Sequence, residues 1–327
     1  MNRIIVLGSN SFSGSYLVDE LLKDNSNSVL GISRSDEIDI NFSPYKSNAN
    51  LFNFKFCKAD IRNTNRIIGL LEEFSPEYIV NYAAMSEVFP SNEHPEDYYA
   101  TNLSAVVNLC SYLRKQKYLK KYVQISTCEV YGSCDYMVLE SERLFPTTPY
   151  AVSKAAVDMH LLSLYRHFNF PVTITRSTSV YGKYQQLYKV IPKTIINLVE
   201  GNKLQVHGNG QMIRTFVHVR DVAKGVISAM KIGYSGEVYN FSSENRFPII
   251  LVMKYIADAM NKPFDFEFTD DRHKQDRDYT LSYVKAKQMF GWEPAIRFEE
   301  GIKETIDWVV DIIGKVPVEK RDYIFKV

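Results

Sequence analysis

Tyr150 and Lys154 stand four residues apart in a run with helical apolar spacing, so both side chains project from one face of a helix. An ammonium beside a phenol favours the phenolate, as any nearby opposite charge does, and makes Tyr150 a usable base or acid near neutral pH. A Tyr-x-x-x-Lys pair also occurs on ordinary helix surfaces. It gains weight from Ser126-Thr127-Cys128-Glu129-Val130-Tyr131-Gly132 upstream, which follows the apolar strand Lys121 to Ile125. The carboxyl end of a parallel strand is where open α/β sheets hold their ligands.

A second constellation lies at Gly8-Ser9-Asn10-Ser11-Phe12-Ser13-Gly14, between a strand and a helix. Gly8 allows a tight turn, Gly14 lets helix and strand pack closely, and the helix N-terminus offers unpaired N–H groups to a pyrophosphate. Ser11 stands where such turns commonly have their middle glycine; a small side chain still permits close approach. Gly8, Ser11, Phe12, Ser13 and Gly14 are the expected contacts with a dinucleotide. Ser33-Arg34-Ser35 ends the second strand, where NAD binders usually carry an acid. A guanidinium and two hydroxyls suit a 2′-phosphate better than a diol, so the cofactor is expected to be NAD(P) with NADP favoured. Asp36 and Glu37 lie just beyond, within reach of the diol role. Asp60 and Ile61 are expected at the adenine amine and ring, and Ala83 and Ala84 leave room for a flat dinucleotide, with Ser86 close behind.

The elements that must position these groups alternate. Arg3 to Leu7, Val29 to Ile32, Phe54 to Cys57, Tyr78 to Tyr82, Lys121 to Ile125 and Val172 to Thr175 have strand character. Helical spacing marks the stretch from Tyr16 to Leu22, Thr64 to Phe74, Asp97 to Lys115 and Tyr150 to Phe168. The stretch from Ser33 to Asn53 is polar and irregular and is expected to be a loop. This alternation implies an α/β fold: a Rossmann-like, doubly wound parallel sheet. After about residue 180 the rhythm breaks, and a smaller mixed α/β substrate lobe is expected. The expected division is 1–178 for the dinucleotide-binding domain, with a return at about 214–242, and 179–213 and 243–327 for the substrate lobe.

Bulk properties narrow the function. With 39 basic and 38 acidic residues the net charge is +1, so no charge excess points to nucleic acid. No apolar run approaches the roughly 20 residues of a membrane helix, and no signal peptide fits the first residues. Cys57, Cys110, Cys128 and Cys134 have no metal-ligand spacing, and no metal is expected. A cytoplasmic protein with reduced thiols is the expectation.

Taken together, the glycine turn, Asn81-Tyr82-Ala83-Ala84, Ser126 to Gly132 and Tyr150-Ala151-Val152-Ser153-Lys154 resemble the extended short-chain dehydrogenase/reductase family, in this order and spacing. The likeness is greatest to the nucleotide-sugar 4,6-dehydratases and runs nearly end to end. Arg176 to Gly182 resembles that family's segment after the next strand. Gly208 to Arg214 with Val217 and Asp221 resembles its nucleotide-binding region, and Arg272 to Tyr279 followed by Gly291-Trp292-Glu293-Pro294 its C-terminal signature. The resemblance implies a cycle on an NDP-hexose. Tyr150 removes the C4 hydroxyl proton as hydride passes to the nicotinamide, Thr127 holds the C4 oxygen, Glu129 takes the C5 proton as water leaves C6, and hydride returns to C6. The product is an NDP-4-keto-6-deoxyhexose.

The chain departs from that pattern in places. Cys128 stands where many dehydratases have Asp. Three readings stay open: the thiol donates the proton to the leaving hydroxyl, it only shapes the pocket, or the reaction stops at a 5,6-ene. Ser179 replaces an Asn and Lys183 a Pro. By resemblance Arg214 and Arg272 are diphosphate or ribose ligands, with Lys193 as a further candidate, and Glu87 is placed to meet an acetamido or hydroxyl group. A 4-epimerase, for which Glu129 is superfluous, a nucleotide-sugar decarboxylase and an NADP-binding sensor or scaffold are the alternatives. Relatives pair two helices equivalent to that of Tyr150, so Val157, Leu161, Leu164 and Phe168 are expected to form the flank that joins a homodimer.

Overall fold

The computed structural model describes residues 1–134, 136–270, 278–318, 321–323 and 325. Strand β1 (Asn2–Leu7) carries Ile4, Ile5, Val6 and Leu7, none more than 2% exposed. Such an unbroken apolar run is what a parallel sheet covered on both faces requires. There follow α1 (Phe12–Leu22), β2 (Asn27–Ser33), β3 (Phe54–Lys58), α2 (Thr64–Phe74), β4 (Tyr78–Asn81), α3 (Val88–Glu93), α4 (Pro95–Tyr98), α5 (Ala105–Leu113), β5 (Lys121–Ile125), α6 (Pro149–Phe168) and β6 (Val172–Ser177). The remainder comprises β7 (Ser179–Tyr181), α7 (Val190–Glu200), β8 (Leu204–His207), β9 (Ile213–His218), α8 (Val219–Ile232), β10 (Glu237–Phe241), β11 (Arg246–Pro248), α9 (Ile249–Ala259), β12 (Phe266–Thr269), α10 (Val284–Phe290) and α11 (Phe298–Ile312).

The main sheet runs β10-β6-β5-β4-β1-β2-β3, and every pairing in it is parallel. Residues of α1 and α8 cover one face; residues of α2, α5 and α6 cover the other. This is a doubly wound Rossmann-like fold. Strand order reverses between β1 and β4, and the crevice outside that point is where such sheets hold ligands. Gly8 follows β1, Ala83 follows β4 and Thr127 follows β5, so all three groups of candidate residues open onto one edge. Two small sheets, β11-β9-β7 and β12-β8, pack with α7, α9 and α11 around Ile191, Ile195, Ile256, Ile302 and Val309 as a smaller lobe.

Three expectations need correction. The polar stretch after β2 is not a plain loop: it folds into short 3-10 turns at Ile40–Phe42, Tyr45–Ser47 and Leu51–Asn53. Tyr45 anchors them, fully buried against Phe54, and Asn48 hydrogen-bonds the Asp19 carboxylate at 2.9 Å. The helix expected from Asp97 to Lys115 is interrupted by a π-helical turn, Tyr99–Ser104, between α4 and α5. Finally, Val157, Leu161 and Leu164 are core residues of the sheet's second face, because that flank of α6 turns inward. They are therefore not available to join two copies. The exposed apolar residues of α6 are Val152, Met159 and Phe168.

Candidate active site

The reacting groups are held from below by a buried network. Arg176 on β6 is 2% exposed and donates two hydrogen bonds to Asp158 of α6, at 2.9 and 3.1 Å. Its third nitrogen donates to the Tyr131 hydroxyl at 2.7 Å, and the Ser126 hydroxyl donates to Asp158 at 2.8 Å. The pair thus ties the end of β5, the turn Cys128–Tyr131 and α6 into one block. Sequence reading quoted Arg176 only as part of a motif and missed Asp158; a lone acid inside an apolar helix face was the signal.

Thr127 caps that turn, its hydroxyl accepting from the Glu129 amide at 3.3 Å. It also hydrogen-bonds Tyr150, whose phenol is buried. Burial, and next the Glu129 carboxylate, push the Tyr150 pKa up; the bond to Thr127 works the other way. Burial and Glu129 likewise push the Cys128 thiol up, against the pull of Arg214. Both effects favour the neutral thiol at Cys128. Lys154 differs from expectation. Its ammonium donates to the Ile125 carbonyl at 2.6 Å, and burial brings its pKa down to about 8 against the raising effect of Asp158. Burial, with the Glu129 carboxylate next, favours the neutral phenol of Tyr150.

Asn102, in the π turn, was also missed. Its side chain accepts from the Met85 amide at 2.8 Å and donates to the Met85 carbonyl and the Ser153 hydroxyl, both at 2.9 Å. It clamps the segment after β4 to α6 beside Lys154. An Asn in a helix interior ordinarily costs stability, which was the available signal.

The glycine turn fits a dinucleotide. Gly8 has φ +79°, and a Cβ there would lie 2.6 Å from the Ala83 nitrogen; one at Gly14 would lie 2.3 Å from the Gly8 oxygen. Ser11 caps α1, accepting from the Gly14 amide at 3.1 Å. The amides of Phe12 and Ser13 lie in the first turn, where a helix has no acceptor of its own. The Phe12 side chain is core, packed edge-on against Tyr16, so this residue offers backbone alone. Ser33 accepts from the Asn10 amide at 3.0 Å, and the Asn10 side chain holds the Ser35 hydroxyl at 3.0 Å. Arg34 is exposed at the same edge, and its charge acts on Asp60. Asp60 itself is bonded through both oxygens to Arg62. Burial opposes ionisation there, but the Arg62 bonds outweigh it and hold the carboxyl below its usual range. Ile61 is 7% exposed and packs in the core cluster on that face of the sheet.

Between this block and the smaller lobe lies a cleft of about 760 Å³. Ser86, Glu87, Glu129, Ser179, Lys193 and Arg214 all line it. Glu87 is engaged across the cleft by Lys189, at 2.7 and 2.9 Å, and by the Tyr188 hydroxyl at 3.0 Å. The Arg214 guanidinium lies over the Tyr279 ring, 5.2 Å from its centre. Lys193 stands 3.9 Å from Asp322. Asp221 does not face the cleft: its carboxylate accepts the amides of Ala295 and Ile296, and Trp292 donates to its carbonyl, so that motif is a structural knot. Arg272 lies outside the described residues.

A dinucleotide turn, a buried Tyr/Lys pair and a cleft wide enough for a second ligand together define a nicotinamide-dependent enzyme. The model of the NAD dependent epimerase/dehydratase family matches residues 4–242. The chain belongs to that family. It is 31% identical over 316 residues to the dTDP-D-glucose 4,6-dehydratase of Bos taurus, covering 94% of this chain and 88% of that protein. The structure of dTDP-glucose 4,6-dehydratase from Bacillus anthracis in complex with NAD superposes with a TM-score of 0.86 at 31% identity, over 95% of this chain and 97% of that one. UDP-glucose 4-epimerase from Thermotoga maritima, with UDP-glucose, reaches the same TM-score of 0.86 at 26% identity, over 95% and 99%. Overall shape therefore does not separate dehydratase from epimerase; the site must.

Proposed function

We propose that the protein is a nicotinamide-dependent nucleotide-sugar 4,6-dehydratase, converting an NDP-hexose to an NDP-4-keto-6-deoxyhexose. The observation that carries this is Glu129, a carboxylate on the cleft wall directly beside Thr127, Cys128 and Tyr150. An epimerase cycle never breaks C5–H and has no use for it. The dehydratases among the relatives support the same reading.

Bound at the glycine turn, a nicotinamide cofactor would supply an acceptor for hydride from C4 and a donor of hydride to C6. Thr127 holds the C4 oxygen and, through its bond to Tyr150, aligns the phenol with the C4 proton. Tyr150 takes that proton as the phenolate, its own proton having first passed to solvent; burial opposes that loss, and the positive charge of Lys154 favours it. Glu129 then takes the C5 proton, made acidic by the C4 ketone. Cys128, neutral through burial, carries a proton for the hydroxyl that leaves C6 as water. Arg214, Lys193 and Ser179 hold the diphosphate and sugar.

Finer features rest on single residues. We infer from Arg34, exposed at the end of β2, that NADP binds more tightly than NAD, although the Bacillus anthracis relative is an NAD complex. The exposed Val152 and Met159, seven residues apart on one side of α6, support a homodimer through that helix. Four free cysteines, and no described helix long and apolar enough to cross a membrane, suit action in the cytoplasm. Residues 1–178 with 214–242 form the dinucleotide-binding part in this reading, and the rest the substrate lobe. The test is incubation with dTDP-, UDP-, GDP- and CDP-hexoses, followed by mass spectrometry. Loss of water from one of them is expected, and unchanged or merely epimerised sugars would overturn the proposal. A dehydrated product in which the hydride has returned to C4 rather than C6 would identify the 5,6-ene instead.

A further inference from the structure

Among the described residues beyond α11, Arg321 lies against the smaller lobe, while Tyr323 and Phe325 lie against the catalytic block. The Arg321 guanidinium donates to the carbonyls of Ile313 and Val316 at 2.8 and 2.9 Å and pairs with Glu200 at the end of α7 at 2.5 Å. Tyr323 then packs edge-on against Tyr188, with ring centres 5.2 Å apart, and its hydroxyl hydrogen-bonds that of Tyr98. Phe325 stacks on the His94 ring at 4.4 Å and packs on the cluster of Met85, Tyr98 and Tyr150. Tyr98 lies edge-on to the catalytic phenol, 6.4 Å from it, and its hydroxyl donates to the Glu87 carbonyl.

Tyr323 is 38% exposed and belongs to none of the core clusters. Yet it lines the cleft together with Tyr188, Lys189 and Glu87. An aromatic face next to an ion pair is a surface that suits a pyranose: the ring meets apolar C–H bonds, while the carboxylate and ammonium meet hydroxyls. The cluster that Tyr323 touches includes Tyr150, so this wall stands at the end of the cleft where the reacting sugar must lie. Gln205, His207 and Met253 line the cleft from the smaller lobe.

We infer that Tyr323 is a substrate-positioning residue which, with Tyr188 and the Glu87–Lys189 pair, forms the outer wall of the sugar subsite. This rests on the reading of the cleft as a nucleotide-sugar site. It predicts that sugar binding and nucleotide binding separate on mutation. The experiment measures, by calorimetry on the full chain with cofactor present, the dissociation constants of a nucleotide sugar and of its nucleoside diphosphate. The unmodified protein, Tyr323→Phe and Tyr323→Ala are compared. Tyr323→Ala should weaken the nucleotide sugar about tenfold or more and leave the nucleoside diphosphate within about twofold; Tyr323→Phe, which keeps the ring, should recover most of the loss. Unchanged affinity for both ligands, or an equal loss for both, overturns the inference. If the unmodified protein binds sugar-bearing and sugar-free nucleotides equally, the sugar makes no net contact and the inference fails. If it binds the nucleotide sugar more tightly but eliminates no water, the wall stands and the dehydratase reading falls. If it binds neither, both fall.

Discussion

Replacing Lys154 by methionine should make the protein more stable and inactive, and the gain should shrink as pH rises. Lys154 is 3% exposed, and burial lowers its pKa from 10.5 to about 8. That difference corresponds to about 3 kcal/mol of penalty for keeping the ammonium inside the fold. The sign follows from proton counts. Below about pH 8 both folded and unfolded chains hold the proton, and the penalty is present in full. Between the folded and unfolded pKa values the unfolded chain holds more protons, so the stability of the parent rises with pH and the penalty fades. Methionine fills a similar volume without the charge, but leaves the Ile125 carbonyl without its 2.6 Å donor, at a cost of about 1 kcal/mol. The net gain near pH 7 should therefore be about 2 kcal/mol, falling to near zero or below by about pH 9.5. Urea unfolding of parent and variant at several pH values, with bound nucleotide removed from both, measures it. A variant less stable than the parent near neutrality, or a difference independent of pH, would show that Lys154 is not a desolvated cation and would remove the basis for its role beside Tyr150.

Glu129→Gln should still allow reduction of the cofactor by the preferred nucleotide sugar but slow C5 deuterium exchange and water loss by about 10² to 10⁴; full exchange in heavy water would make Glu129 structural. Arg176→Met leaves Asp158 buried without its partner and should cost about 3 to 5 kcal/mol in urea unfolding, with a loss below about 1 kcal/mol counting against the network. Gly14→Ala puts a methyl group 2.3 Å from the Gly8 oxygen, which must displace the turn; cofactor affinity by fluorescence titration should fall about tenfold or more. Arg34→Asp should reverse the preference from NADP to NAD in the same titration, and an unchanged ratio would remove Arg34 from the 2′-phosphate site.

What the sequence made legible was whatever local backbone geometry decides. The glycine turn needs Gly8 and Gly14 for reasons visible within seven residues, and Tyr150 and Lys154 share a face because a helix puts them there. The cleft was legible in outline, since Glu87, Glu129, Ser179, Lys193 and Arg214 do line it. Contacts between distant segments were not. Lys154 faces the Ile125 carbonyl and Asp60 is taken by Arg62, and neither follows from spacing. Ile61, Phe12, Val157, Leu161 and Leu164 are apolar residues near a site or on a helix flank, and only the packing of the sheet shows that they face inward.

The π turn at Tyr99–Ser104 also acts as a phase shift. A π turn is one residue wider than an α turn, and one extra residue rotates everything downstream by about 100° around the helix axis. The faces of α4 and α5 are therefore out of register with one continuous periodicity. Tyr98 can look toward Tyr150 while Leu109 and Leu113, further along, face the sheet core. Asn102 occupies the widened turn, where its amide spans Met85 and Ser153 at once. Removing a single residue from this turn would restore regular α-helix and swing that amide out of the gap. The helix would become more regular, and the segment carrying Ser86 and Glu87 would lose its tether to α6.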